Sequence, residues 1–235
     1  MFQVDKSLNY GRNEIFNLLK LVPQVHSALD VGAGRGDDLE LVRSLNPDAL
    51  LYGVEYYEEN AKELEGRGIK TFKINFEKEQ LPVQEGCLDL IISNQMMEHS
   101  KEVFWVLHEM SRTLKVGGHL LIGVPNLASL HNRLLLLMGK QPTSIQNNSA
   151  HLRGYTKNDL LKLIDVFAKG YEVVSFRGSN FYPFSPWIAK PLAKAIPSMA
   201  YSLFLLLRKT KDYKQEYLKY PVDRQLETNF YLGDQ

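Results

Sequence analysis

The stretch that most constrains this chain is a run of glycines between a predicted strand and a predicted helix, Leu-Asp-Val-Gly-Ala-Gly-Arg-Gly-Asp at residues 29–37. Residues 27–31 read as a short buried strand, and residues 37–45 have apolar side chains at helical spacing. Gly32, Gly34 and Gly36 predict a tight turn with unusual backbone angles, in which no Cβ keeps a ligand from the main chain. We therefore expect a nucleotide-shaped ligand at the carboxyl end of this strand.

The charges around the turn favour one type of ligand over another. The dinucleotide-binding pattern needs its third glycine one position later, where Asp37 stands. Asp30, Asp37 and Asp38 also place carboxylates around a helix amino terminus that would otherwise attract a pyrophosphate. The segment 30–37 resembles motif I of class I S-adenosylmethionine (SAM)-dependent methyltransferases, whose cationic cofactor has no phosphate. The resemblance implies that Asp30 and the three glycines bind SAM.

An acid ends the second predicted strand. Residues 50–54 are mostly apolar and are followed by Glu55, 25 residues after Asp30. Because a carboxylate offers two oxygens to a vicinal diol, we expect Glu55 to accept hydrogen bonds from the ribose hydroxyls and Tyr56 to lie along the adenine. The alternative is an acid that only caps the next helix, predicted at residues 58–66.

Asparagines end the third and fourth predicted strands, at residues 70–75 and 86–94. Relatives commonly carry an aspartate for the adenine amino group where this chain has Asn75, whose side-chain oxygen can still accept that hydrogen bond. The N–H of Phe76 is expected to donate to the adenine ring. Asn94, at the tip of a segment that resembles motif IV, is expected to face the transferable methyl group.

Arg12 is a further candidate for cofactor binding. Residues 9–12 are similar to amino-terminal segments that close over SAM in many relatives, and a guanidinium pairs with a carboxylate through two parallel hydrogen bonds. A solvated surface arginine is the alternative.

Two histidines are the candidate catalytic residues. His99 follows Glu98 after the fourth strand, and His151 precedes a predicted helix at residues 156–167. A neutral imidazole is basic near pH 7, so either side chain is suited to accept a proton from a methyl acceptor. In ubiquinone-type O-methyltransferases a further glutamate precedes the Glu-His pair and the three hold a divalent metal. Gln95 stands there, so no metal is predicted; a structural role for Glu98 and His99 is the alternative.

The whole pattern predicts an α/β fold. Residues 112–126, Arg-Thr-Leu-Lys-Val-Gly-Gly-His-Leu-Leu-Ile-Gly-Val-Pro-Asn, are similar to the family's fifth strand and the segment before it. Helices alternate with strands, which predicts a doubly wound, Rossmann-like sheet of seven strands, mostly parallel with an antiparallel last strand. We expect a single domain over residues 1–235, with a lid insertion at 127–155 and an apolar insertion at 181–200.

Composition excludes several classes of protein. Lysine plus arginine number 28 against 27 acids, a formal net charge of +1, so no nucleic-acid partner is expected. The single cysteine, Cys87, forms no internal disulfide, and no signal peptide or long apolar run is evident, which together favour a cytoplasmic protein. Residues 181–200 combine aromatic, aliphatic and lysine side chains, which suits an apolar acceptor, a membrane interface or a second subunit. A lid buried on its own domain is the alternative.

These expectations lead to one function and two rivals. The first is transfer of a methyl group from SAM to an oxygen or nitrogen of a small-molecule, sugar or lipid-linked acceptor. An inactive SAM-binding or scaffold protein that acts through residues 181–200 is the second, and a nucleotide-dependent oxidoreductase is the third.

Overall fold

Seven strands form one sheet in the computed structural model, which describes residues 11–233. The strands are β1 (Ser27–Val31), β2 (Leu50–Val54), β3 (Lys70–Phe72), β4 (Leu88–Asn94), β5 (Leu114–Pro125), β6 (Tyr171–Ser179) and β7 (Ser202–Lys209). Their order across the sheet is β3-β2-β1-β4-β5-β7-β6. The last strand in the chain, β7, is antiparallel to both of its neighbours, whereas the pairs among β1 to β5 are parallel. The predicted fold class is confirmed.

Helices cover both faces of the sheet. They are α1 (Arg12–Leu19), α2 (Asp37–Leu45), α3 (Glu58–Gly66), α4 (Val103–Thr113), α5 (Leu130–Leu137), α6 (Lys157–Ile164), α7 (Pro186–Ala195) and α8 (Glu216–Asp223). Successive strand residues point to opposite faces. Leu120 and Ile122 therefore join a core cluster with α4, α6 and α8, while Leu121, between them, joins a cluster with α1, α2 and α3.

The glycine pair Gly117-Gly118 belongs to β5 and does not end a helix. The pattern predicts that Gly117 and Gly118 end the preceding helix, but α4 ends at Thr113 and β5 begins at Leu114. Leu114 pairs with Leu88 of β4, so the glycines lie inside the strand. Because Leu114 pairs with the buried Leu88, β5 begins several residues before its continuous run of apolar side chains.

The apolar insertion at 181–200 forms a helix with a small core of its own. Its α7 accommodates Pro186 in the first turn, where no N–H is needed, and Pro191 within the helix. Phe181, at 3% exposure, packs with alanines of α7, so it does not face a ligand or partner as the sequence suggested. Trp187 is 77% exposed.

The carboxyl-terminal segment contributes to the core although the sequence predicts no element there. Tyr217 of α8 is fully buried, and its hydroxyl donates a hydrogen bond to the carbonyl of Ile164 at 2.9 Å. Among residues 11–233, none of the helices combines the length and the apolar character needed to cross a bilayer.

Candidate functional site

The glycine turn connects β1 to α2 in a left-handed backbone conformation. Gly32, Gly34 and Gly36 have φ of +78°, +53° and +86°, a region that side chains with a Cβ rarely adopt. The N–H groups of Gly32 and Ala33 both donate to the carbonyl of Val54 at 3.0 Å, which fixes the turn to β2. A Cβ built on Gly34 meets no atom of the described residues within 4 Å, whereas one on Gly36 lies 2.6 Å from the Leu64 side chain. Gly34 therefore borders open space, and Gly36 packs against the core.

A cavity of about 200 Å³ lies over this turn. Its lining consists of residues of the turn, among them Arg35, together with Asp30, Asp37, Asp38, Arg12, Asn94 and Gln95. Strand β1 brings Asp30, helix α2 brings the other two acids, and β4 ends at Asn94. The carboxyl ends of adjacent parallel strands thus meet at one acidic cavity, as expected for ligand sites in doubly wound sheets.

Asp30 is the most deeply buried acid of this cavity. It is 3% exposed, and its Oδ1 has no hydrogen-bond partner among the described residues. Burial, and then the charges of Asp38 and Glu55, raise the pKa of Asp30 well above its ordinary value. A positively charged group in the cavity would relieve this arrangement, so the site favours a cationic ligand.

Asp38 joins the three elements around the cavity. Its Oδ2 accepts a hydrogen bond from Asn94 Nδ2 at 2.8 Å, and its Oδ1 lies 3.4 Å from Arg12 Nε. Burial raises the pKa of Asp38, and the hydrogen bond from Asn94 and the charge of Arg12 oppose that shift. The Oδ1 of Asn94 has no partner among residues 11–233 and is buried. The predicted set of site residues omits Asp38, although its position directly after the turn was a visible signal.

Arg12 has intramolecular partners at this cavity. Its Nη2 lies 2.9 Å from Asp37 Oδ2, in addition to the contact with Asp38. The sequence suggested a cofactor carboxylate as its partner; in the structure it forms ion pairs with the acids that begin α2. Residues 1–10, which include the rest of the predicted closing segment, lie outside the described residues.

Glu55 fixes the back of the glycine turn. Its Oε2 accepts from Gly34 N–H and its Oε1 from Tyr57 N–H, both at 2.8 Å, and it is 6% exposed. Each carboxylate oxygen keeps a second lone pair, so contact with a ribose stays a prediction. Tyr56, the expected adenine neighbour, is 74% exposed and contacts Tyr57 edge to face.

Asn75 and Phe76 do not line the cavity in the described part of the chain. The side-chain oxygen of Asn75 accepts from the Glu77 N–H at 3.2 Å, in the turn that follows β3. The Phe76 side chain is buried in the core beside Val54 and Phe72. Their predicted contacts with adenine therefore depend on Asn75's remaining lone pair and on the Phe76 main chain.

The two candidate catalytic histidines lie together. His99 ends a short 3₁₀ turn, Met97–His99, and His151 belongs to the loop before α6. Their rings are 4.7 Å apart, edge to face. His99 Nδ1 lies 3.1 Å from the carbonyl of Ala150, and His151 Nδ1 lies 2.9 Å from that of Ser144. The folded chain thus brings His99 and His151, which are distant in the sequence, into contact.

Glu98 lies beside this pair. It is 1% exposed, and neither carboxylate oxygen has a hydrogen-bond partner in the part of the chain that the structure describes. Burial raises the pKa of Glu98 to about 7. One ligand atom from each of Glu98, His99 and His151 lies within 4.8 Å of the other two. The predicted set included both histidines and omitted this acid.

Comparison with known proteins identifies a family for the central part of the chain. Residues 29–122 match the model of a methyltransferase domain family. A malonyl-[acyl-carrier protein] O-methyltransferase of Herminiimonas arsenicoxydans is 28% identical over 131 residues, which cover 55% of this chain and 49% of that protein. The chain spans 31% to 51% of the length of the first curated relatives that it matches.

Solved structures match over most of the chain. One is a chain of the complex between the Haloferax volcanii Trm112 methyltransferase activator and a putative methyltransferase, with a TM-score of 0.62, 14% identity and coverage of 89% of this chain and 94% of that chain. Another is geranyl diphosphate C-methyltransferase from Streptomyces coelicolor in complex with Mg²⁺, geranyl diphosphate and S-adenosyl-L-homocysteine, with a TM-score of 0.56, 13% identity and coverage of 84% and 77%. At these identities the likeness establishes the fold.

Proposed function

We propose that this chain, which carries a class I SAM-dependent methyltransferase domain at residues 29–122, transfers a methyl group from SAM to an oxygen or nitrogen of an acceptor molecule. The observation that carries the proposal is the acidic cavity over the glycine turn, whose lining includes the buried Oδ1 of Asp30, an atom with no hydrogen-bond partner among the described residues. An α-ammonium group and a sulfonium centre are the kind of charge that such a cavity stabilises, whereas a pyrophosphate would be repelled. When bound, SAM supplies an activated methyl group.

The residues of the chain then have distinct parts. Asp30 accepts a hydrogen bond from the α-ammonium group, and the Oδ1 of Asn94, which has no partner within residues 11–233, accepts another. Gly34, with no side chain and open space in front of it, lets the cofactor approach the main chain. Glu55 uses its second lone pairs for the ribose, and Asn75 and Phe76 bind the adenine.

Positioning supplies most of the catalysis in this proposal. Holding two reactants in near-attack geometry contributes ~7–11 kcal/mol in favourable cases. An acceptor with an O–H group also needs a proton acceptor, and either His99 or His151 serves if its Nε2 is unprotonated. Their Nδ1 atoms face carbonyl oxygens, which accept hydrogen bonds and do not donate them, so the lone pair is on Nε2 in the neutral rings.

The acceptor is proposed to be apolar or lipid-linked. Helices α5 and α7 both carry exposed apolar side chains, among them Leu137 at 83% and Trp187 at 77% exposure, and α7 also carries the exposed Lys190 and Lys194. Aromatic and aliphatic groups with nearby lysines suit a lipid tail with an anionic head group, or a membrane surface that carries such a lipid. The named malonyl-[acyl-carrier protein] O-methyltransferases among the relatives favour oxygen as the acceptor atom.

Two measurements test the proposal. Calorimetric titration with S-adenosylhomocysteine and, separately, with NADH distinguishes a methyltransferase cofactor from a dinucleotide. Incubation with methyl-labelled SAM and a cell extract, followed by separation of lipid and water-soluble fractions, then looks for a labelled product. Binding without a labelled product would favour the inactive SAM-binding protein, and NADH binding alone would favour the oxidoreductase.

A further inference from the structure

Glu98, His99 and His151 come from two segments that are firmly fixed to each other. The carbonyl of Glu98 accepts hydrogen bonds from the N–H groups of Leu152 at 2.8 Å and Arg153 at 3.1 Å. The Arg153 side chain also donates to the carbonyl of Ser100 at 3.1 Å. The three side chains therefore project from a scaffold that the backbone holds, which is what a precise binding site requires.

Both imidazoles are arranged as metal-binding histidines usually are. A carbonyl oxygen carries no proton, so the bonds from His99 Nδ1 and His151 Nδ1 require the proton on Nδ1. Each neutral ring then has its lone pair on Nε2. A histidine that binds a metal usually donates its other ring N–H to a carbonyl or carboxylate in this way.

Glu98 gives an independent indication of a ligand. A buried carboxyl group without a hydrogen-bond partner is costly. This one is 1% exposed, and neither of its oxygens has a hydrogen-bond partner among residues 11–233. Its neighbours in the cluster are the imidazoles of His99 and His151. A cation held jointly with the imidazoles would satisfy the carboxylate.

We infer that Glu98, His99 and His151 bind one divalent transition-metal ion, of which Zn²⁺ is the best match. Two imidazoles and one carboxylate suit Zn²⁺ and leave a fourth coordination position open, whereas Mg²⁺ prefers oxygen ligands. Ligand atoms on a tetrahedral Zn²⁺ lie about 3.4 Å apart for bonds of about 2.1 Å. The three ligand atoms lie within 4.8 Å of one another, so binding the ion requires them to move closer, and the exposed His99 has room to move. The sequence predicts no metal because Gln95 stands where ubiquinone-type O-methyltransferases carry a glutamate ligand. In this inference the third ligand is instead His151 of the lid segment.

A catalytic role for this metal ion rests on the proposed methyl transfer, whereas binding of the ion at these three residues does not. With the metal bound, the two imidazoles are ligands and no longer proton acceptors. An acceptor hydroxyl in the fourth position loses its proton to solvent more readily because the metal lowers its pKa. Its oxygen lone pair then forms the bond to the methyl carbon, and the electron pair of the broken carbon–sulfur bond stays on sulfur.

Calorimetric titration of the EDTA-treated and dialysed full chain with Zn²⁺ tests the site, and Mg²⁺ is titrated for comparison. We expect one equivalent of Zn²⁺ and no Mg²⁺ binding at the same concentrations. Loss of an outer-shell partner typically weakens metal affinity 10–100-fold, so Glu98→Gln and His151→Ala, which remove ligands, should each weaken it by about 100-fold or more. His131→Ala is the matched control, because His131 is a half-buried lid histidine whose ring contacts Tyr182.

The visible absorption of Co²⁺ is a second readout, since four-coordinate and aqueous Co²⁺ differ in colour. A wild-type chain that takes up no Zn²⁺, or one whose affinity is unchanged in Glu98→Gln and His151→Ala, would overturn the inference. Circular dichroism confirms that each variant is folded. S-adenosylhomocysteine binding is measured in the same samples. A chain that binds Zn²⁺ but not S-adenosylhomocysteine refutes the proposed function alone. A chain that binds S-adenosylhomocysteine but not Zn²⁺ refutes the metal site alone.

Discussion

Exchange of single glycines for alanine separates the cofactor-binding role of the turn from its packing role. Gly34 and Gly36 both have positive φ, so each alanine variant adopts a left-handed conformation that costs ~1–2 kcal/mol. The reduced freedom of the unfolded chain offsets about 0.4–1 kcal/mol of that cost. Gly34→Ala should therefore lower the free energy of unfolding by about 1 kcal/mol.

The surroundings make the second substitution more damaging to stability. A Cβ on Gly36 lies 2.6 Å from Leu64 Cδ2 and 3.0 Å from Ile69 Cδ1, both in the core. Overpacking of this kind adds about 1–3 kcal/mol. Gly36→Ala should thus lose about 2–4 kcal/mol in urea denaturation.

The two substitutions should affect cofactor affinity in a different order from that in which they affect the free energy of unfolding. The Cβ of Gly34→Ala enters the open space beside the cavity, so we expect its affinity for S-adenosylhomocysteine, measured by calorimetry, to fall by about tenfold, or ~1.4 kcal/mol. Gly68→Ala is the matched control, because Gly68 has φ of +71°, nothing within 4 Å of its Cβ, and a position between α3 and β3 outside the cavity lining. It should lose the same stability as Gly34→Ala and no affinity. Wild-type affinity in Gly34→Ala would refute the assignment of the turn, and equal stability of Gly34→Ala and Gly36→Ala would refute the packing argument.

Three further predictions address the other parts of the site. Glu55→Ala should weaken S-adenosylhomocysteine binding by ~1.5–3 kcal/mol, the scale of hydrogen bonds to a charged group. Because Glu55 also accepts hydrogen bonds from two backbone N–H groups, urea denaturation must accompany the calorimetry. An unchanged dissociation constant would place the ribose elsewhere. His151→Ala should lower turnover of labelled SAM by ~10²–10⁴ with cofactor affinity nearly unchanged, whereas full turnover would leave His151 a loop residue. With the buried Trp105 replaced by Phe, anionic vesicles should shift Trp187 emission to the blue and protect it from iodide. A Trp187 signal that no vesicle alters, together with a concentration-dependent dimer in sedimentation, would assign this surface to a second subunit.

The features that could be predicted from the sequence are those encoded over a few neighbouring residues. The left-handed turn follows from glycines at alternate positions, and the order of strands and helices follows from the periodicity of apolar residues. Asp30 near the end of β1 and Glu55 directly after β2 were recognisable because parallel strands bring their carboxyl ends to one edge of the sheet.

Other features depend on partners that are distant in the sequence. The start of β5 at Leu114 depends on pairing with Leu88, and the burial of Tyr217 depends on its contact with Ile164. No local pattern carries such information, because strand pairing and burial are decided by the packing of whole elements.

The candidate site divides in the same way. The sequence by itself determined that a glycine turn, an acid at its base and two histidines were available. Only the tertiary structure decided that Arg12 pairs with the acids of α2, and that His99 and His151 meet beside a buried Glu98. The physical reason is that a side chain's charge state and partners are set by the groups within a few ångströms of it, and the folded chain brings those groups from separate segments.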